Sequence, residues 1–445
     1  MIFTYIKKIY GSTVIAVNLP GQKQKPFLKR QKLDIIRDRQ VRRIVRYAAR
    51  RVPFYREWFA SQDLDPKQIK GAADLERLPI LDKELVRSQP KLFVAEGRVS
   101  RNALSFLTSG TTGVPIEIYH DQRSLLLNIP FGERERDPFI QICGGSFRPK
   151  ELYVGYQTST FKTVTAFYKN SVLFPVKPRR RLVSLLDPIE EIASILNQER
   201  PDILVGYGGW INLFFRTAAA RKIDLHLPKM VMYIGEALPH GAREYIEGEL
   251  GIPVLTRYNA VEAFKIGFYC QERRGFHIHE DLCHVRIVDS DGQNVPAGEP
   301  GEVVISNLVN RASVLLNYPM GDMAAISPVA CPCGRTFKLI SELDGRTEDI
   351  LSLEDGSFVH PRAIWQVFKD ERKILQYQLV QEDPQLYELQ IVTLRESSFS
   401  ALQERITMKL NDLLGGKATI NIHWRPNILQ LPGQKFRVVV SCKKN

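Results

Sequence analysis

The chain has 445 residues, 44% hydrophobic and 25% charged, and its 62 Lys and Arg against 49 Asp and Glu leave a formal net charge of +13. That length exceeds one ordinary hydrophobic core and asks for two or more domains, with the composition of a globular protein. No stretch approaches the ~20 apolar residues of a membrane-spanning helix, six cysteines do not suggest a disulfide scaffold, and the scattered basic surplus reads as a solvated face before a nucleic-acid surface. Ser12 to Leu19 is apolar but too short for a convincing signal peptide, so the cytosol is the default location. Oligomeric state stays open, a homodimer included.

Residues 1 to about 100 read as mostly helical and basic. Ile44, Tyr47, Ala48 and Val52 share one helix face, and Pro53 breaks that helix and starts another. Ala72 to Leu78 reads as a short helix stopped by Pro79. Apolar residues then lead into Thr108-Ser109-Gly110-Thr111-Thr112-Gly113-Val114-Pro115, and Ile116 to Tyr119 alternate after it. A tight loop of glycines and hydroxyls between two strands suits an anion, because exposed amides and rotatable hydroxyls converge there. It lacks the Lys of a Walker A loop, and its bland reading is a polar surface turn.

From about 150 to 260 strands and helices alternate. Leu152 to Tyr156, Asp202 to Tyr207, Met230 to Ile234 and Pro253 to Tyr258 read as strands, and Ile189 to Gln198 and His240 to Leu250 as helices. This rhythm predicts a mostly parallel sheet covered by helices, with ligands at the carboxyl ends of its strands. Gly206 to Gly209, Gly235-Glu236-Ala237 and Tyr258 to Glu262 fall at such ends. Residues 263 to 343 turn to short strands. A separate unit of roughly a hundred residues follows, reading helix (Ile364 to Phe368), strand (Tyr377 to Val380), strand (Leu386 to Val392), helix (Phe399 to Leu414), strand (Ala418 to His423) and a basic tail. The fold class expected is α/β: a large N-terminal domain over 1–344 with a small β-rich part, and a small α+β lid over 345–445.

Several acids and cations, one of them at such an end, offer chemistry. Glu262 can hold Mg²⁺ beside a phosphate, since that ion takes one or two carboxylates plus phosphate oxygens. Asp322, in Tyr318-Pro319-Met320-Gly321-Asp322, can accept ribose hydroxyls. Arg346 and Glu348 follow Gly345 where the domains should join, and Lys435 lies in Gly433-Gln434-Lys435-Phe436-Arg437. Each alone is ordinary: a helix-start Glu, a turn Asp, a surface turn, a solvated tail lysine.

Their order and spacing resemble the adenylate-forming superfamily of acyl-CoA synthetases, adenylation domains and luciferases. Within it the likeness is to the phenylacetate–coenzyme A ligase branch, which includes coenzyme F390 synthetase-like and capsule-locus proteins. Pro53-Phe54-Tyr55-Arg56, Leu78 to Lys83, and Cys331-Pro332-Cys333-Gly334-Arg335-Thr336 followed by Gly345-Arg346 look like segments of that branch, so the resemblance spans nearly the whole chain. It implies an AMP-binding domain over 1–344 that adenylates a carboxylic acid with ATP and then passes the acyl group on, to coenzyme A first of all. A carrier thiol, an amine or a hydroxyl in polysaccharide or natural-product synthesis stays open, as does a non-catalytic nucleotide binder. By position, Ser109, Gly110, Thr111, Thr112 and Gly113 would grip the β- and γ-phosphates. Gly235, Glu236 and Ala237 would line the adenine and acyl pocket. Tyr258 would pack on adenine, Glu262 would hold Mg²⁺, Asp322 the ribose and Arg346 the nucleotide, and Lys435 would be the adenylation lysine. The usual Tyr-Gly-x-Ser/Thr-Glu reads Tyr258-Asn259-Ala260-Val261-Glu262 here, so a phosphate-contacting hydroxyl is missing. Glu348 replaces a hinge Asp, and Gln434 separates the Gly-Lys pair.

Tyr207, Trp210, Phe214 and Tyr233 could line a pocket for an aryl acid, although such residues are more often core. Cys331 and Cys333 offer two soft ligands in one turn, and Cys270 with His277 or His279 could complete a closed tetrahedral structural zinc site, Cys283 being a spare. Relatives in the resembled branch carry such a pattern. The alternative is buried free thiols.

Overall fold

A computed structural model describes residues 2–97, 102–108, 115–145, 148–155, 159–173, 179–341, 343, 350–359, 361–368, 371, 373–428 and 436–442. The first segment is helical, as the spacing predicts: α1 (Ile2–Asn18), α2 (Arg30–Arg51), α3 (Pro53–Ser61) and α4 (Lys83–Ser88). Pro53 occupies the first turn of α3, where its missing N–H costs nothing. Val41, Ile44, Val45, Ala48, Val52 and Tyr55 bury one face of this pair against Val314 and Leu316.

Strands β1 (Leu104–Leu107) and β2 (Glu117–His120) pair antiparallel, Leu107 opposite Glu117. Thr108 N–H donates to the Ile116 carbonyl at 2.9 Å. Asp121 caps the next helix, α5 (Gln122–Ile142), accepting from Ser124 N–H at 2.9 Å.

Then β3 (Lys150–Val154), α6 (Ser159–Ser171), β4 (Arg179–Val183), α7 (Ile189–Glu199), β5 (Ile203–Tyr207), α8 (Gly208–Ala220), β6 (Met230–Ile234), α9 (His240–Glu244) and β7 (Val254–Tyr258) alternate. α9 is shorter than the periodicity predicts, because its last turn, Tyr245–Glu249, widens to π geometry before Gly251. β4, β3, β5, β6 and β7 are parallel neighbours. The sheet continues antiparallel through β8 (Gly267–Tyr269), β9 (Phe276–Ile278) and, once introduced at the far end, Leu339–Ile340. Strand residues alternate between its faces. Ile203, Val205, Met230 and Met232 join one core, while Leu204, Val231, Tyr233 and Val254 join the other beneath α7 and α8. Burial on both faces is why these strands read as unbroken apolar runs.

The change of pattern after 263 is the antiparallel sheet β10 (Cys283–Val288), β11 (Gly301–Asn307) and β12 (Tyr318–Ala324), followed by β13 (Leu339–Ile340). Beyond it a separate apolar core runs from Leu351 to Val439. It comprises β14 (Leu351–Ser352), β15 (Phe358–Val359), α10 (Pro361–Phe368), β16 (Ile374–Asp383), β17 (Leu386–Thr393), α11 (Glu396–Leu413), β18 (Thr419–Trp424) and β19 (Val439–Val440). The tail is not all loop: Val439 and Val440 pair parallel with Leu379 and Val380. The expected boundary at 344/345 falls outside the described residues. The class is mixed α/β with a parallel-rich sheet, as expected. No helix among the described residues is long and apolar enough to cross a membrane.

Candidate active site

The carboxyl ends of β5, β6 and β7 meet as the sheet rule predicts. Gly208 and Gly235 make this possible. A Cβ at Gly208 would lie 2.2 Å from the Ala237 carbonyl oxygen, and Gly235 has φ +77° with the Tyr207 ring against its α-carbon. The two turns therefore pack backbone to backbone, and a side chain at either would push them apart.

Glu236 stands at the centre. Its Oε1 accepts from Gly209 N–H at 2.7 Å, at the start of α8, where the helix dipole favours a negative charge. Its Oε2 accepts from Phe436 N–H at 2.9 Å, across a sequence gap of 200 residues. One carboxylate thus ties the two sheet turns to the C-terminal unit, one peptide bond from Lys435. Beside it, between α8 and the C-terminal unit, lies a cleft of about 530 Å³ lined by Asn212, Arg216, Trp365, Tyr377 and Phe436.

At the end of β7, Tyr258 O–H donates to Asp322 Oδ2 at 2.6 Å, joining β7 to β12. Both are nearly buried, Tyr258 at 5% and Asp322 at 9% exposure, so the tyrosine ring belongs to the core beside Phe276 and meets the site through its hydroxyl. Burial and the neighbouring carboxylate push that phenol well above its usual range, which keeps it a donor. Asn259, at the glycine position of the motif, is exposed.

Glu262 follows in a turn whose backbone is fixed on both sides. The Glu262 carbonyl accepts from Asn307 Nδ2 at 2.9 Å. The Val261 carbonyl accepts from His120 Nε2 at 2.6 Å, and His120 lies between the rings of Phe106 and Phe264. That bond runs from the last residue of β2, the strand leaving the Ser109 to Gly113 loop, to the residue beside the candidate magnesium ligand. It requires the proton on Nε2. Burial lowers the His120 pKa to about 4, so the ring is neutral. A hollow of about 290 Å³ opens between His120, Lys265, Asn307 and Asn310.

Beneath the turn is a buried charge network. Glu135 on α5 faces Lys265 at 2.7 Å, Arg257 at 2.9 Å and His279 at 2.9 Å. Burial alone would raise its carboxyl, but these three outweigh it and hold it ionised below the usual range. Arg134, next in sequence, grips Asp281 through both oxygens, at 2.6 and 2.9 Å.

Cys270, His277, Cys331 and Cys333 converge, their ligand atoms within 4.8 Å of one another. Cys270 Sγ lies 3.6 Å from Cys331 Sγ, and Cys333 Sγ lies 3.3 Å from His277 Nε2. A tetrahedron with Zn–S of about 2.3 Å has edges of roughly 3.5–3.8 Å, so the set fits zinc. His277 Nδ1 faces the Phe337 carbonyl at 3.4 Å, which directs Nε2 to the cluster. His279 is excluded from it by its bond to Glu135, and Cys283 lies apart on β10.

Of the other expectations, Ser109, Gly110, Thr111, Thr112, Gly113, Arg346, Glu348 and Lys435 lie outside the described residues. Trp210 and Phe214 stack at 4.9 Å inside the core with Tyr233, so these aromatics are packing; Tyr207 is half-buried. Sequence reasoning did not single out His120, Glu135, Lys265 or Phe436. Their partners lie between 122 and 200 residues away, and only the spacing of His120 just after the loop could have pointed to one of them.

No family model matches the chain. A phenylacetate–coenzyme A ligase of Thermus thermophilus is 25% identical, covering 94% of this chain and 98% of that protein. In fold the chain is similar to 2-hydroxyisobutyryl-CoA ligase in its postadenylation state, with a TM-score of 0.73 at 16% identity over 95% of this chain and 91% of that one. The same ligase in its thioesterification state gives 0.59 at 17% identity, over 95% and 91%. Sequence and fold point the same way: the chain is similar along nearly its whole length to a phenylacetate–coenzyme A ligase and shares the fold of 2-hydroxyisobutyryl-CoA ligase.

Proposed function

We propose that this chain is an acid–thiol ligase that adenylates a carboxylic acid with ATP and transfers the acyl group to coenzyme A. The observation that carries the reading is the bond from Phe436 N–H to Glu236. It holds Phe436, the residue after Lys435 in the sequence, at the carboxyl ends of β5 and β6, where a parallel sheet holds its ligand. Full-length similarity to a phenylacetate–coenzyme A ligase supports the same chemistry.

In the first step a carboxylate oxygen attacks the α-phosphorus of ATP in line, and pyrophosphate leaves. In the second the thiolate of coenzyme A attacks the acyl carbonyl, and AMP leaves. Neither step needs a covalent enzyme intermediate, so the protein's work is positioning and charge neutralisation. Ser109 to Gly113 cup the β- and γ-phosphates. Asp322, oriented by the Tyr258 hydroxyl, takes the ribose. Gly235 to Ala237 border the adenine and acyl pocket, and Arg346 reaches the nucleotide near the hinge. Lys435 neutralises charge developing at the α-phosphate. Glu262, with its backbone fixed by Asn307 and its neighbour's by His120, would hold Mg²⁺, which supplies further positive charge at the phosphates. After adenylation, the unit beyond residue 344 rotates about Glu348 to admit the thiol. Cys270, His277, Cys331 and Cys333 would hold a structural zinc, since four protein ligands leave no open position for chemistry.

Pyrophosphate release with ATP, Mg²⁺ and a panel of alkyl and aryl carboxylic acids tests the reading. Release should depend on the acid, and Lys435→Ala should lower it by about 10²–10³-fold. Absence of acid-dependent release across the panel sinks the ligase reading, and indifference to Lys435→Ala removes that residue's role alone.

A further inference from the structure

Among the described residues, sixteen large apolar side chains are well exposed, and eight of them fall between Tyr5 and Ile35. Five lie on α1, whose inner side packs on α5 and α6. At 3.6 residues per turn, Tyr5, Ile6, Ile9, Tyr10 and Val17 fall on one side of that helix, with Thr13 and Ala16 between them. Val17 is 74% exposed, Tyr5 61% and Ile6 56%. No charged residue interrupts this face; Lys7 and Lys8 flank it on either side. Leu19, Phe27 and Ile35 continue the exposed apolar series toward α2.

The second feature is α2 itself. Lys32, Arg39, Arg43, Arg46 and Arg50 recur at helical spacing on its solvent side. Among the described residues, no acidic side chain pairs with Arg39, Arg43 or Arg46. The two helices are joined by the short segment 19–29, which adds Lys23, Lys25 and Lys29. An uncharged apolar helix face bounded by lysines, followed directly by an unpaired basic ridge, is the pattern of a helix that lies in a membrane interface.

We propose that this N-terminal region docks the protein peripherally on an anionic lipid surface, with the apolar face of α1 in the headgroup–acyl boundary and the α2 ridge on the lipid charges. A second copy of the chain is the poorer occupant. A 17-residue helix is about 26 Å long, so its exposed face offers a few hundred Å². A standard protein interface needs about 800 Å² per partner. The like-charged ridge would also repel a second copy, whereas an anionic bilayer attracts it. The inference stands on surface residues alone and is independent of the ligase reading.

The test is co-sedimentation of the full-length protein with vesicles of phosphatidylcholine alone or with about one third phosphatidylglycerol, at low and high salt. Binding should require the anionic lipid and weaken with salt. Ile6→Asp/Ile9→Asp should lower partitioning about tenfold or more. The combined change Arg39→Gln, Arg43→Gln and Arg46→Gln should lower it several-fold and flatten the salt dependence. Circular dichroism checks folding, and Val17→Lys, at the most exposed position, gives an independent variant. The proposal is overturned if neither vesicle type binds, if binding ignores both sets of changes, or if light scattering finds a dimer that Ile6→Asp/Ile9→Asp dissociates while vesicles capture nothing.

Discussion

His120 shows how much one buried side chain can hold. It spans from the last residue of β2 to the Val261 carbonyl, and it does so as a neutral ring. Because its folded pKa, about 4, lies below the ordinary 6.5, the unfolded chain binds the extra proton more readily. Stability from this residue is therefore complete above pH 6.5 and is lost as the pH falls toward 4. Between pH 7 and 4.5 it should cost about 2 kcal/mol. Urea unfolding at the two pH values, wild type against His120→Gln, should show that difference shrink in the variant; an equal pH effect in both removes the assignment. Tyr258 and Asp322 make the complementary case. Their bond at 2.6 Å joins two strands of different sheets, so a proposed ribose ligand is also a structural fixture.

Elements meet at the cysteine cluster. Cys270 leaves β8, His277 sits in β9, and the Cys331–Cys333 turn precedes β13, which pairs with β9 through Leu339 and His277. Zinc here would close the antiparallel edge of the sheet covalently. The hydrogen bond from Cys270, with those from His277 and Arg335, pulls the Cys333 thiol well below its usual range, which suits a thiolate ligand. Purified protein should contain one zinc per chain, and Cys331→Ser should lose it together with several degrees of thermal stability. A well-folded, metal-free wild type ends the zinc assignment. The nearby Glu135 network works differently. It buries charge to set the angle between α5 and the turn after β7, and such networks hold geometry more than they add stability.

For the molecule as a whole, Glu236 links the two units. Its two amide partners belong to the large sheet and to the C-terminal unit. Losing hydrogen bonds to a charged acceptor costs about 1.5–3 kcal/mol each. Glu236→Ala should therefore reduce acid-dependent pyrophosphate release by about tenfold to a hundredfold. Thioester formation from a preformed acyl-adenylate should change little, because the proposed rotation would carry Phe436 away from Glu236 before that step. An equal fall in both half-reactions would make Glu236 a general structural residue instead.

Much of this was legible beforehand. The β-α-β rhythm from Leu152 to Tyr258 and the position of Glu262 just past a strand follow from local patterns, because hydrophobic period and turn chemistry act over a few residues. The zinc ligands were readable as residue types, while the choice of His277 over His279 was not. That choice rests on Glu135, 144 residues from His279, capturing the other ring. The same limit applies to Trp210 and Phe214, whose place in the core depends on which sheet face α8 covers. What the sequence by itself determined is the class of fold, the order of its motifs and the chemistry each can offer. Only the tertiary structure decided which groups meet: His120 with Val261, Tyr258 with Asp322, Glu236 with Phe436. Hydrogen bonds and charge pairs depend on separations of ångströms, and spacing along the chain does not encode those until the core has packed.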